Sequence, residues 1–236
     1  AGGGRECFRP SAGVNARLAR RTVGYAAPHG RPHRESRRAV KVVVVGATGN
    51  FGTALLDALA EDPSVTEVVG VARRLPDCRW PKTEFVARDL RTDDLAGTFA
   101  GAHAVVHLAW FFQPSHRPTD TWQTNVYGTE RLLDAVARAG VRVLVYASSI
   151  GAYSPAHGRV VDESWPTHGR PDSAYGREKA YVERLLDTFA AEQPDVRVVR
   201  LRPGFLFARN AASEQWRTRS APVREPATSS WRPPRI

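Results

Sequence analysis

The amino-acid sequence predicts an α/β fold, a doubly wound parallel sheet arranged in three layers. Three observations carry that expectation. From Val40 onward, short apolar runs alternate with stretches of helical periodicity, the texture of βαβ units. The runs are rich in β-branched residues and read as strands buried on both faces. Directly after the first run, Gly46-Ala47-Thr48-Gly49-Asn50-Phe51-Gly52 forms a glycine-rich turn that leads into a helix.

Val40–Val45 is the first strand, a valine-rich run, and Thr53–Glu61 comes next with apolar residues at helical spacing. Val65–Val71 is a second buried strand, Glu84–Ala87 a short third, Asp93–Phe99 a short helix and Ala104–Leu108 a fourth strand. Asp120–Ala139 reads as one long helix, Val141–Ala147 as the next strand, Ala174–Glu192 as another long helix and Val196–Leu201 as the last strand. Right-handed crossovers between parallel strands wind such helices onto the sheet. Residues 1–38 mix Gly, Arg, Pro and His with few large apolar side chains and are expected to be a disordered basic tail. After Ala208 the pattern stops, and residues 209–236, rich in Arg, Pro, Ser and Thr, are expected to be a disordered or aberrant tail. The folded domain is thus expected at residues 39–208.

A net charge of +10 would by itself suggest a nucleic-acid or membrane-surface partner. Its distribution argues otherwise. Residues 1–41 hold ten Lys and Arg against Glu6 and Glu35, and residues 209–236 hold six Arg against Glu214 and Glu225. Residues 42–208 carry eighteen Lys and Arg against twenty Asp and Glu, so the domain is nearly neutral and no nucleic-acid partner is expected. No apolar run approaches the roughly 20 residues of a membrane-spanning helix, and no membrane partner is expected either. Cys7 and Cys78 are too few and too badly placed to imply a disulfide framework, which leaves the reducing cytoplasm as the expected compartment. The chain contains no Met and begins at Ala1, and a fragment or an incorrectly bounded reading frame is the expectation.

The turn Gly46–Gly52 has the strand before it and the helix after it that a dinucleotide site needs. Its glycines let the backbone approach a pyrophosphate, and the helix N-terminus offers N–H groups and a favourable dipole. A cofactor without a 2′-phosphate usually meets a carboxylate at the end of the second strand, but Ala72 stands there, followed by Arg73 and Arg74. Arginine pairs with a 2′-phosphate, so NADP is the preferred cofactor and NAD the second. Both arginines also suit an ordinary solvated loop.

These residues resemble the extended short-chain dehydrogenase/reductase family, of the NAD-dependent epimerase/dehydratase type, from Val40 to about Gln215. The resemblance implies a Rossmann domain whose nucleotide turn is the G-x-x-G-x-x-G at Gly46, Gly49 and Gly52. Asp89-Leu90 is similar to the family's adenine-contacting pair, and His107-Leu108-Ala109 to the strand end that passes under the cofactor. Asn125-Val126-Tyr127-Gly128-Thr129 resembles its helix motif, in which the Asn supports active-site geometry. Leu201-Arg202-Pro203-Gly204 resembles the segment beside the nicotinamide. Family members usually continue well past that segment into a substrate-binding part, so the resemblance implies that no complete substrate domain is present and that one sheet edge is bare.

Tyr175 and Lys179 lie four residues apart in a predicted helix, on one face one turn apart. A neighbouring ammonium and an oxidised nicotinamide favour phenolate over a phenol that ionises near pH 10, which suits Tyr175 to general acid/base work. The resemblance implies that Lys179 also holds the cofactor ribose and that Ser149, rather than Ser148, hydrogen-bonds the reacting oxygen. The expected chemistry is hydride transfer at a carbinol or carbonyl carbon of a small molecule, a nucleotide sugar among the candidates; epimerase, dehydratase and net reductase outcomes stay open. A non-catalytic dinucleotide sensor and an inactive truncated family member are the alternatives. His103 and His107 have no carboxylate or Cys partner, and no metal site is expected. Trp110-Phe111-Phe112-Gln113 suits a substrate pocket or the core equally, and Tyr153 and Trp165 share that ambiguity. Family members often pair through the helices corresponding to Asp120–Ala139 and Ala174–Glu192, which implies a homodimer.

Overall fold

The computed structural model describes residues 5–6, 39–112 and 116–206. The elements are Arg5–Glu6 (β1), Val40–Val45 (β2), Asn50–Glu61 (α1), Val65–Ala72 (β3), Cys78–Arg79 (β4) and Thr83–Ala87 (β5). They continue with Ala96–Phe99 (α2), Ala104–His107 (β6), Pro118–Trp122 (α3), a π-helical turn over Gln123–Tyr127, Gly128–Arg138 (α4), Val143–Ala147 (β7), Ala174–Glu192 (α5) and Arg197–Leu201 (β8). The order of strand and helix is the expected one. The two-residue strands β1 and β4 pair in parallel with each other, a contact the sequence did not signal, and Cys78 carries a disulfide rather than a free thiol. Apart from Arg5–Glu6, the tails expected at 1–38 and 209–236 lie outside the described residues, as does Gln113.

Six parallel strands form one sheet in the order β5-β3-β2-β6-β7-β8. The valines of β2 sort to opposite faces because side chains alternate along a strand. Val43 and Val45 join Leu132, Val136, Leu144, Val182, Leu186 and Phe189 in the larger core, beneath α2, α4 and α5. Val42 and Val44 join Leu56, Val65 and Val68 beneath α1. Helices on both faces of a parallel sheet are the doubly wound three-layer arrangement that the sequence predicts. On the α1 side, Val143 and Val145 of β7 are only partly covered, whereas Leu144 and Tyr146 on the other face are buried. Strand β8 pairs only with β7 and is an edge among the described residues.

Two helices depart from expectation. The helix expected over Asp93–Phe99 is confined to Ala96–Phe99. The Asp93 carboxylate turns back to accept the Asp89 N–H at 2.9 Å, and Asp94 accepts the Ala96 N–H at 3.3 Å. Such local side-chain bonds offer the backbone a turn in place of a helix. The long helix expected over Asp120–Ala139 is divided by the π-helical turn. One extra residue in a turn rotates the remainder of the helix, a device frequent at functional sites, and here the turn carries Asn125.

Unequal coverage of the two sheet faces has a measurable consequence. Leu144→Ala is expected to lower the unfolding free energy by about 3 kcal/mol, as for a fully buried leucine, and Val145→Ala by about 1 kcal/mol. Urea denaturation of the two variants checks this, and equal losses would contradict the asymmetry.

Candidate functional site

The C-terminal ends of β2, β3, β6 and β7 converge on one side of the sheet, where ligands bind in open parallel folds. The turn after β2 begins when the N–H groups of Gly46 and Ala47 both donate to Val71 of the neighbouring strand, at 2.9 and 3.2 Å. Gly46 has φ +89°, and a Cβ there would stand 2.6 Å from the Ala109 nitrogen. A Cβ on Gly52 would fall on the Gly46 carbonyl oxygen and within 2.5 Å of the Ala47 oxygen. Only glycine permits this close return of the helix to the strand. Thr48, Gly49 and Asn50 are exposed at the tip, and α1 starts from Gly49 with no side chain capping it. Its first N–H groups are thus presented to an anion, and the cradle fits a dinucleotide pyrophosphate. Phe51 lines a cavity with Tyr153, Glu163 and the segment Arg200–Pro203, which brings Pro203 to the turn.

On the adjacent side, Ala72 is buried at the end of β3, and Arg73 and Arg74 are exposed. The Arg73 guanidinium lies 5.2 Å from the centre of the Phe111 ring. Leu90 is buried, and Asp89 is paired with Arg91 at 2.7 Å. That hydrogen bond, before any other cause, holds the Asp89 carboxyl below the usual range. Leu108 donates its N–H to Val45, and it and Ala109 are half-buried at the end of β6.

Ser149 comes after β7 and caps a short 3₁₀ turn, its Oγ accepting the Gly151 N–H at 3.0 Å. Tyr175, on the first turn of α5, stands beside Ser149 across Gly151, where a Cβ would lie 3.0 Å from the Tyr175 ring and 3.4 Å from Ser149 Oγ. Ser148 is turned away and donates to the buried Glu183 carboxylate at 2.5 Å. Lys179, only 3% exposed, donates to the Ala147 carbonyl at 2.7 Å and to the Tyr146 hydroxyl at 3.2 Å. Trp110 covers it, its ring centre 3.4 Å from Nζ. Burial pushes the Lys179 ammonium well below its ordinary range, an effect opposed by Glu183 and Glu178. Burial also raises Tyr175, and what pulls it down is the nearby Ser149 hydroxyl. Burial, rather than the Lys179 ammonium, is thus the leading cause at Tyr175. Trp110 meets the Tyr175 ring edge-on at 5.7 Å, and Phe112 stacks on it at 5.6 Å.

Asn125 is 2% exposed and touches neither Ser149 nor Tyr175 by any described hydrogen bond. Its Oδ1 accepts the Phe111 N–H at 2.7 Å, and its Nδ2 donates to the Phe111 carbonyl at 2.9 Å and to Glu178 at 2.7 Å. Its place is support of the loop rather than contact with reacting atoms. Sequence reasoning passed over Glu178 and Glu183. Glu183 is fully buried, accepts from Ser148 and is paired with Arg202 at 2.9 Å and Arg200 at 3.2 Å. The signal was there: both glutamates share the Tyr175, Lys179, Val182, Leu186 stripe, where a charge needs a buried partner. Trp165 donates its indole N–H to the Ser154 carbonyl, and Tyr153 accepts from Arg202.

His107 is buried against Tyr146 with ring centres 5.4 Å apart. The Thr129 hydroxyl donates to the Asn125 carbonyl at 2.6 Å, so it accepts from His107 Nε2–H at 2.9 Å. This places the proton on Nε2 and leaves Nδ1 without a partner. Burial, reinforced by Lys179, lowers the imidazole to about 3.

A profile of the NAD dependent epimerase/dehydratase family matches residues 42–223. The L-arabinose 1-dehydrogenase (NAD(P)(+)) of Haloferax volcanii is 30% identical over 74% of this chain and 70% of its own length. The UDP-glucose 4-epimerase of Yersinia pestis is 30% identical over 68% of this chain and 52% of its own. Among solved structures, MoeE5 in complex with UDP-glucuronic acid and NAD is 32% identical with a TM-score of 0.58, covering 68% of this chain and 52% of that one. A short-chain dehydrogenase/reductase superfamily protein of Agrobacterium tumefaciens with bound NAD is 32% identical with a TM-score of 0.59, over 69% and 48%. The chain thus spans about half the length of the epimerase and of both solved structures.

Because the folded value of His107 lies near 3 and the ordinary one at 6.5, the unfolded chain binds the extra proton between them. Stability is full above pH 6.5 and falls as pH drops toward 3. Between pH 6.5 and 5, above the carboxylate range, the expected loss is about 2 kcal/mol. Urea midpoints at those two pH values check it, and the slope is expected to disappear in His107→Gln.

Proposed function

The chain belongs to the NAD dependent epimerase/dehydratase family, and on that basis we propose that it is an oxidoreductase or isomerase that exchanges hydride at a carbinol or carbonyl carbon of a small molecule. The observation that carries this reading is the juxtaposition of Ser149 and Tyr175 across Gly151 at the end of β7, on the same side of the sheet as the Gly46–Gly52 cradle. When bound, the dinucleotide supplies the hydride acceptor or donor. Ser149 holds the substrate oxygen, and Tyr175 takes its proton on oxidation or returns it on reduction. Lys179, one turn along α5 and 5.9 Å from the centre of the Tyr175 ring, would hold the cofactor ribose. A dinucleotide sensor has no need of that pair, which disfavours the non-catalytic alternative.

Relatives named for L-arabinose, UDP-glucose and UDP-glucuronic acid support a sugar or nucleotide sugar as substrate. NAD is bound in the solved relatives. In this chain Ala72 stands at the end of β3 with exposed Arg73 and Arg74 beside it, which supports NADP as the preferred cofactor and NAD as the second. Pairing of two copies through the helices over Asp120–Ala139 and Ala174–Glu192 is supported by exposed Tyr127, on the π-helical turn, and Tyr181, on α5. Among the described residues no helix is long and apolar enough to cross a membrane.

Titration with NADPH and NADH, followed by nicotinamide fluorescence, tests this. NADPH is expected to bind more tightly, and Arg73→Ala/Arg74→Ala to weaken NADPH alone by about tenfold to a hundredfold, the range for charge-assisted hydrogen bonds. Tyr175→Phe is expected to keep cofactor affinity and to lower turnover about 10²- to 10⁴-fold. Failure to bind either dinucleotide would overturn the proposal.

A further inference from the structure

Glu178 lies between Tyr175 and Lys179 in sequence yet is only 4% exposed. Both of its oxygens are engaged: Oε1 accepts the Thr121 hydroxyl at 2.6 Å, and Oε2 accepts Asn125 Nδ2 at 2.7 Å. Asn125 transmits the constraint, because its amide binds both the N–H and the carbonyl of Phe111 as a neighbouring strand would. The π-helical turn sets Asn125 between the two partners. Phe111 is flanked by Trp110, whose ring covers Lys179 Nζ, and by Phe112, whose ring stacks on Tyr175.

We propose that Glu178 is a positioning residue of this site, which through Asn125 holds the Trp110–Phe112 segment as an aromatic roof over Lys179 and Tyr175. The inference rests on reading Ser149, Tyr175 and Lys179 as the reacting set. A carboxylate suits the task because it accepts at both ends without donating. A glutamine keeps the essential half. Its carbonyl accepts from Asn125, and its NH₂ donates to the Thr121 hydroxyl, which turns to the Pro118 carbonyl already 3.0 Å away. An apolar side chain of the same length keeps the packing and removes the acceptor, leaving Asn125 free to release Phe111.

The indole emission of Trp110, taken as the difference between the parental protein and Trp110→Leu, reports its contact with the ammonium. As pH is varied, that emission is expected to show a step when Lys179 titrates, absent in Lys179→Met. The groups facing Lys179 are Tyr146, Tyr175, Glu178, Glu183 and His107. The step is expected to persist in Glu178→Gln and to vanish in a folded Glu178→Met. Glu178→Asp keeps the charge but falls one methylene short of Asn125. It serves if the Met variant does not fold, and is expected to lose the step too. A step that survives in folded Glu178→Met or Glu178→Asp, or that vanishes in Glu178→Gln, overturns the proposal, as does a parental protein without it. No turnover or dinucleotide binding is read, so failure of the redox reading and failure of this inference remain separable.

Discussion

Where the chain leaves β2 and doubles back into α1, there is no room for a side chain on the inner side of the turn. A Cβ at Gly52 would overlap the backbone of Gly46 and Ala47, and one at Gly46 would meet the backbone of Ala109. This contact sets the distance from α1 to the sheet and brings the end of β6 against the turn. The loop after β6 carries Trp110 and Phe112, so the glycine turn and the aromatic segment share one backbone contact. Parallel strands make such convergence possible, because all of their C-terminal ends lie on one side.

Helix α5 brings three charged side chains into the interior, each compensated differently. Glu183 is matched by Arg200 and Arg202, the Arg202 contacts coming from both its Nε and its Nη2. Glu178 is matched by neutral donors alone, Thr121 and Asn125. Lys179 has a carbonyl, a phenol hydroxyl and an indole face. In a medium of low dielectric burial disfavours the charged form; it lowers Lys179, whereas hydrogen bonds from Arg202 and Ser148 hold the Glu183 carboxyl below its ordinary value against its own burial. Ser148 belongs to the Glu183 network, and this frees Ser149 to face Tyr175.

The opposite half of the sheet is less finished. The α1-side face of β7 is partly covered and β8 is an edge among the described residues. The side holding α4 and α5 is closed by large buried residues such as Phe99, Leu132, Leu144 and Leu186. The proposed site thus stands on the well-packed layer, with Tyr175 and Lys179 on a helix whose inner stripe is anchored through Val182, Leu186 and Phe189.

Local patterns along the chain were enough to establish the order in which strands appear, the helix Ala174–Glu192 to the residue, and the glycine turn, because each arises from local periodicity or from a backbone conformation that one residue type permits. Tyr175 was legible as a candidate by its spacing from Lys179, and Ser149 through the family resemblance at the end of a strand. The long helix expected over Asp120–Ala139 was not divided by any local signal; its π-helical turn is stabilised by what Asn125 reaches on Phe111 and Glu178, more than ten residues away along the chain in each direction. Nor could spacing say that Glu183 would be fully buried, that Arg200 and Arg202 would neutralise it, or that Trp110 would cover Lys179. Those are contacts between distant segments, and they decide the local dielectric. It takes the assembled fold to reveal that burial, rather than the neighbouring ammonium, dominates the ionisation of Tyr175, since desolvation depends on every atom that excludes water from the group.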